Sequence, residues 1–380
     1  MKIRLCKNNF NSKESRAIER VLKSGWLTDG PMNTEFEEAF AKYIGVKRAL
    51  TLNSCTAALQ LAIEASEITG EVILPSFTFV ASANAVVRAG ATPVFADIEY
   101  GTCNIDPVDI ARKITPRTQA IMVVHYAGQA CPMDKITKLA GRHNLKIIED
   151  SAETIGGTYK KQKTGSFSTG CFSFYPTKNI TTGEGGMLTT NNHKLADKVK
   201  ILAGHGIKKS TYERQHSQEP WFREASYAGY NFRMSSILAA IGVEQLKKLD
   251  AMNARRREHA AYLNKKLSFD EIDLPVELKG CRHVYQMYTI KVKKVVRRDF
   301  VLGLRKKGIM ASVHFTPPVH LQKYYAEKYR YLIHDLPVTE RVADSIVTLP
   351  MYPGLTKKEL DYMVNSVGKL LHRLKERTII

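Results

Sequence analysis

Short apolar runs alternate with longer mixed segments from about residue 49 to residue 190. The runs RALTL, EVILP, TPVFADI, AIMVVHYA, LKIIED, CFSFYP and GGMLTT have the length and boundaries of strands. Between several of them the apolar positions take helical spacing, as in CTAALQLAIEA and PMDKITKLAGRH. This alternation predicts an α/β fold with a mostly parallel central sheet and helices on both faces. Ligands of such sheets gather beyond the C-terminal ends of the strands. Residues 191–253 read as mainly helical around a polar stretch, HGIKKSTYERQHSQEP, which predicts a long loop over 205–220.

From about residue 254 the pattern changes. A basic helix leads to a strand, HVYQMYTIKV, then to another helix and to SVHFTPPVHLQ. In the closing segment, TKKELDYMVNSVGKLLHRLKE, Thr356 and Glu359 have the spacing of a capping box. Leu360, Met363, Val364, Val367, Leu370, Leu371 and Leu374 follow at helical intervals. A chain of 380 residues is long for one core. A large domain over 1–253 and a smaller C-terminal α/β domain over 254–380 are therefore expected.

Composition narrows the class. The N-terminal MKIRLCKNNFNSKES has no apolar leader core, and the longest uncharged runs are too short and too polar to cross a bilayer. A soluble, cytoplasmic protein is expected, without a membrane partner. Cys6, Cys55, Cys103, Cys131, Cys171 and Cys281 are scattered, which predicts free thiols. Neither Cys nor His positions cluster as zinc ligands do, so no metal is expected. Net charge is +20, heaviest over residues 254–308. The basic runs are short and interleaved with apolar residues, as on a solvated face, and no nucleic-acid-binding motif accompanies them. Anionic small substrates are the alternative source of such a balance.

Lys178 stands out. It follows an apolar run, has no charged neighbour back to Lys163 or forward to Glu184, and opens a loop containing Gly183, Gly185 and Gly186. A lysine amine among apolar groups is partly neutral and can form a Schiff base. Asp150 ends a buried strand, where a carboxylate can hold a protonated ring nitrogen. Ser54, Cys55 and Thr56 open an alanine-rich helix, whose free N–H groups and dipole favour an anion. Phe79, just past another strand, can stack on a planar ring. Each has an ordinary structural alternative: an exposed loop lysine, a turn carboxylate, a helix cap, a core phenylalanine. Together they match the needs of pyridoxal 5'-phosphate (PLP).

At this point the chain resembles the DegT/DnrJ-type sugar aminotransferases, PLP enzymes with an aspartate-aminotransferase-like fold. The resemblance runs nearly end to end, through GWLTDGP, NSCTAALQLAI, LPSFTFVASANAVVRAGATPVFADI, VHYAGQ, IIEDSAETIGGTY, FSFYPTKNITTGEGGM, AGYNFRMSSILAAIG, VHFTPPVHLQ and LPMYPGL. It implies that Lys178 carries the cofactor and shuttles a proton, that Asp150 pairs with the pyridine nitrogen, and that Phe79 stacks on the ring. It further implies a phosphate cup of Ser54, Cys55, Thr56 and Ser173, completed by Asn231 of a neighbouring subunit, hence a homodimer with shared active sites. His314 is placed near the sugar.

Two positions depart from the family pattern. Cys55 stands where glycine is usual, and Glu153 where many relatives have His or Gln; Glu153 is read as a hint toward a 4-keto sugar. Lysine rather than histidine at position 178 implies transamination rather than removal of a hydroxyl. The expected reaction cycles PLP through pyridoxamine phosphate. It takes an amine from L-glutamate and places it on a nucleotide-linked 4-keto-6-deoxy sugar for polysaccharide or another glycoconjugate. A keto-cyclitol or 3-keto nucleotide sugar is the alternative substrate. A regulatory or nucleic-acid-binding protein retaining the fold is the alternative of another class.

Overall fold

The structure is a computed structural model that describes residues 1–378. Seven strands form the central sheet: β1 (Arg48–Leu52), β2 (Glu71–Pro75), β3 (Thr92–Ala96), β4 (Thr118–Val124), β5 (Lys146–Asp150), β6 (Thr169–Ser173) and β7 (Gly186–Thr190). Their spatial order is β1-β7-β6-β5-β4-β2-β3. All pairings are parallel except those of β7, which runs antiparallel to both β1 and β6. The sheet is thus mostly parallel, as the alternating pattern predicts.

β2, β6 and β7 are buried along their whole length because helices cover both faces. On one face α3 (Cys55–Ala65), α4 (Ala81–Arg88) and the helix His193–Ala203 pack through Ala58, Leu59, Ala62, Val86 and Val199. On the other, Ile110 and Ile136 bring the helices Pro107–Lys113 and Met133–Arg142 against Ile73, Ile121 and Val123. α1 (Ser12–Ser24) and α2 (Pro31–Ile44) lie against the helix Ser236–Leu246.

A second, antiparallel sheet joins Ile272–Asp273, Tyr288–Val292 and Ile346–Leu349. Its core holds Tyr288, Ile290, Phe300 and Val347, closed by the terminal helix Lys357–Thr378. Leu360, Met363, Val367, Leu370, Leu371 and Leu374 of that helix are buried, at the positions that the helical spacing marks. The capping box forms: the Thr356 N–H donates to Glu359 Oε2 at 2.8 Å, and the Glu359 N–H donates back to Thr356 Oγ1 at 3.2 Å. The helix Leu249–Lys266 runs unbroken through residue 253. Its Leu249 and Met252 join the cluster around Phe36 and Phe174, while Ala260 and Leu263 join the C-terminal core.

Two local features differ from the sequence pattern. The polar stretch 205–220 contains a short helix, Thr211–Gln215, because Ser210 and Glu213 form a capping box of their own. The strand read from His283 begins only at Tyr288. His283 and Tyr285 instead stack at 3.9 Å in a turn whose backbone bonds to Ala127 and Gly128. The N-terminus is tied down, with the Ile3 N–H donating to the Gly308 carbonyl at 2.8 Å and Ile3 buried in the C-terminal core. This last contact carries Leu5 and Cys6 to the site described next.

Candidate active site

A pocket of about 500 Å³ opens beyond the C-terminal ends of β1, β2, β5 and β6. Nine of the residues singled out in the sequence line it: Ser54, Cys55, Thr56, Phe79, Asp150, Glu153, Ser173, Lys178 and His314.

Lys178 sits in the connection between β6 and β7. Its N–H donates to the Tyr175 carbonyl, while the Thr182 N–H and Thr181 hydroxyl both donate to the Phe174 carbonyl, coiling the loop tightly. Gly185 makes that path possible. Its φ is +151°, and an added Cβ would meet Met234 at 2.3 Å and Thr182 at 2.7 Å. Gln286 of the C-terminal part donates from Nε2 to the Thr177 carbonyl at 2.8 Å, pinning the residue before the lysine. The amine does not stand among apolar groups alone. It lies 3.3 Å from Glu153 Oε1, with the two side chains 15% and 9% exposed. Glu153 Oε2 in turn accepts the Ala127 N–H at 2.9 Å.

Asp150 ends β5 and is 5% exposed. Its Oδ2 accepts from the Ser82 hydroxyl at 2.8 Å and its Oδ1 from the Ala152 N–H at 3.2 Å. Burial raises its pKa, opposed by the Ser82 and Ala152 hydrogen bonds and by the positive charge of Lys178. No ion pair neutralises this carboxylate among the described residues. The Cys55 Sγ approaches Oδ1 at 4.0 Å, and burial pushes that thiol's pKa well up, so it stays protonated.

α3 begins at this same edge. Ser54 is its N-cap, accepting the Ala57 N–H at 3.1 Å, which leaves the first-turn N–H groups of Cys55 and Thr56 without intrahelical partners. Phe79 is 62% exposed, so the reading of it as a core residue does not apply; its ring lies 6.2 Å from that of Phe315 at the pocket wall. His314 Nδ1 lies 2.8 Å from Thr348 Oγ1, and burial lowers the pKa of its ring. Asn231 does not line the pocket of its own chain. It is exposed, pairs with Gly204, and accepts from Asn53 Nδ2 at 3.4 Å.

The pattern of the sequence missed several members. Ser82 lies in the first turn of α4 and Thr78 in the bend just before it, with their hydroxyl oxygens 2.8 Å apart. Tyr175 and Phe315 lie beside Lys178 and His314 in segments already marked, whereas Leu5, Cys6, Gln286 and Met351 come to the pocket through long-range packing that leaves no local mark.

The DegT/DnrJ/EryC1/StrS aminotransferase family model matches residues 8–368. The chain belongs to this family. It is 40% identical over 373 residues to the spore coat polysaccharide biosynthesis protein SpsC of Bacillus subtilis, covering 95% of each chain. Among solved structures it is similar to Helicobacter pylori PseC, an aminotransferase involved in the biosynthesis of pseudoaminic acid. That match has 30% identity and a TM-score of 0.91, covering 98% of this chain and 100% of PseC. It is also similar to the PLP form of the putative sugar aminotransferase Spr1654 from Streptococcus pneumoniae, with 26% identity, a TM-score of 0.91 and coverage of 98% and 100%.

The chain is therefore a sugar aminotransferase of the DegT/DnrJ type, and membership of the family implies PLP. The donor set fits that group. A buried carboxylate without a counter-ion suits a pyridinium N–H, a free helix start suits a phosphate, an exposed ring suits stacking, and a lysine amine stands in the same pocket. Among the described residues no helix is long and apolar enough to cross a membrane.

Proposed function

We propose that this protein transfers an amine from L-glutamate to C4 of a nucleotide-linked 4-keto-6-deoxy sugar, as a cytoplasmic homodimer. PLP would be bound through Lys178 and cycle through pyridoxamine phosphate. The observation that carries the reading is the convergence of the Lys178 amine, the un-neutralised Asp150 carboxylate and the start of α3 on one pocket. We place the division between the cofactor-binding and C-terminal domains near residue 253.

When bound, PLP supplies an electron sink for the carbon that loses or gains the amine. The residues of the chain do the rest. Asp150 keeps the ring nitrogen protonated by presenting a negative charge in a buried site. The N–H groups of Cys55 and Thr56, with the hydroxyls of Ser54, Thr56 and Ser173, hold the phosphate. Asn231 of a second copy completes that cup. Phe79 stacks on the ring and limits its tilt. Lys178 Nζ accepts a proton from the substrate carbon in one half-reaction and returns one in the other. Glu153, fixed by the Ala127 N–H, orients the amine between those events. His314 faces the sugar as a neutral ring, donating or accepting without adding charge.

The test is the visible absorption of the PLP-loaded protein, before and after L-glutamate, beside Lys178→Ala. The expected result is a band that falls with glutamate in the wild type and is altered and unresponsive in the variant. A panel of nucleotide-linked and free keto-sugars then reads out the acceptor. A wild-type protein that takes up PLP yet ignores every amino donor and every keto-sugar would overturn the proposal.

A further inference from the structure

The reaction proposed above assigns no role to two hydroxyls that line the pocket. Ser82, in the first turn of α4, is 1% exposed, and Thr78 is 2% exposed. Their oxygens lie 2.8 Å apart, and Ser82 Oγ lies 2.8 Å from Asp150 Oδ2. A serine has one proton to give. Three acceptors compete for it, the Asp150 carboxylate at 2.8 Å, the Thr78 hydroxyl oxygen at 2.8 Å and the Phe79 carbonyl at 3.3 Å. The carboxylate is at least as close as either neutral acceptor and, being charged, forms the strongest bond. Ser82 therefore donates to Asp150, and Thr78 donates to Ser82.

From this geometry we infer that Ser82, oriented by Thr78, is a positioning residue that holds Asp150 ionised and aimed at the cofactor's ring nitrogen. The inference rests on the PLP reading of the site. When Asp150 is protonated, Ser82 can turn its hydrogen to the Phe79 carbonyl and accept from the carboxyl instead. The hydroxyl thus fits both protonation states, but its short contact favours the ionised one. Its position also links two cofactor contacts, because the Phe79 carbonyl belongs to the residue whose ring flanks the pocket.

Other groups act on the same carboxylate. Lys178, from the β6–β7 loop, favours ionisation, and Glu153, after β5, opposes it. The thiols of Cys55, on α3, and Cys171, on β6, also face it; burial holds both in the neutral form, so neither adds charge. Ser82 and the Ala152 N–H are the neutral donors that offset burial. Removing Ser82 leaves one of the two.

The test is the affinity of the apoprotein for PLP, titrated by fluorescence from pH 5 to pH 9, for wild type, Ser82→Ala and Ser82→Thr. A pyridinium needs an ionised partner, so affinity falls on the acid side as Asp150 takes up a proton. Ser82→Ala is expected to weaken PLP binding roughly tenfold on that side, in line with loss of a hydrogen bond to a charged acceptor. Its acid limb should move to higher pH. Ser82→Thr, which restores a hydroxyl, is expected to move the limb back. Wild-type binding at every pH in Ser82→Ala overturns the inference. So does a loss that is equal at all pH values and unrescued by threonine, which marks a packing role only. A wild-type protein that binds no PLP overturns the cofactor reading and the inference with it.

Discussion

Substituting Gly186 by alanine probes how the sheet builds the phosphate end of the site. Gly186 begins β7, opposite Leu52 of β1 and Ser173 of β6. A Cβ at this position would lie 2.3 Å from the Ser54 carbonyl carbon, 2.4 Å from its oxygen and 2.5 Å from the Cys55 nitrogen. All three are backbone atoms, so no side chain can swing aside. Regaining van der Waals contact requires β7 and the Ser54–Cys55 turn to separate by about 1 Å, and over-packing of this kind costs about 1–3 kcal/mol.

Moving the Cys55 N–H away from its place costs the phosphate a hydrogen bond to a charged acceptor, worth about 1.5–3 kcal/mol. Gly186→Ala is therefore expected to weaken PLP binding by at least about tenfold, the equivalent of about 1.4 kcal/mol. Gly141→Ala is the control. It lies in the helix Met133–Arg142 with nothing within 4 Å of its added Cβ, and it should leave affinity unchanged and stability equal or higher. Titration of each apoprotein with PLP, alongside thermal unfolding, makes the comparison. If Gly186→Ala binds PLP as tightly as Gly141→Ala, the start of α3 is not the anchor that the geometry indicates.

Three further outcomes are expected. Phe79→Ala should weaken PLP binding by up to about tenfold through lost stacking, worth about 0.5–1.5 kcal/mol; the ring is 62% exposed, so the unfolding midpoint should hardly move. His283 is held neutral in the fold, its pKa pushed down to about 3 by burial and then by Arg257, against an ordinary 6.5. Between pH 6.5 and 3 the unfolded chain binds the additional proton, so the stability present above 6.5 is lost as pH falls through that window. Urea unfolding of His283→Gln should show a flatter pH dependence there than wild type, and an unchanged slope would contradict the assignment. Thr356→Ala should cost about 1 kcal/mol by removing the cap of the terminal helix, read as a lower urea midpoint with an unchanged slope.

The strands of the central sheet and the terminal helix were legible because their signals are local. EVILP is apolar throughout because both faces of β2 are covered. Thr356 and Glu359 meet because a helical turn brings residues three apart together. The short helix Thr211–Gln215 carried the same signal in Ser210 and Glu213, but no apolar stripe follows it, so the stretch read as loop.

The candidate site divides along the same line. Asp150 ends a strand of one sheet, and Ser54, Phe79 and Lys178 follow other strands of it within two to five residues; chain order in a mostly parallel sheet sends such positions to one edge. The sequence by itself therefore determined the sheet, the terminal helix and the residues that share that edge. It could not determine what surrounds them. That Glu153 stands against the Lys178 amine, that Ser82 bonds Asp150, and that Cys6, Gln286 and Phe315 close the pocket follow from contacts between segments far apart in the chain. Such contacts are set by the packing of whole elements. Only the tertiary structure decides them, because neither spacing nor local propensity encodes which distant surfaces meet.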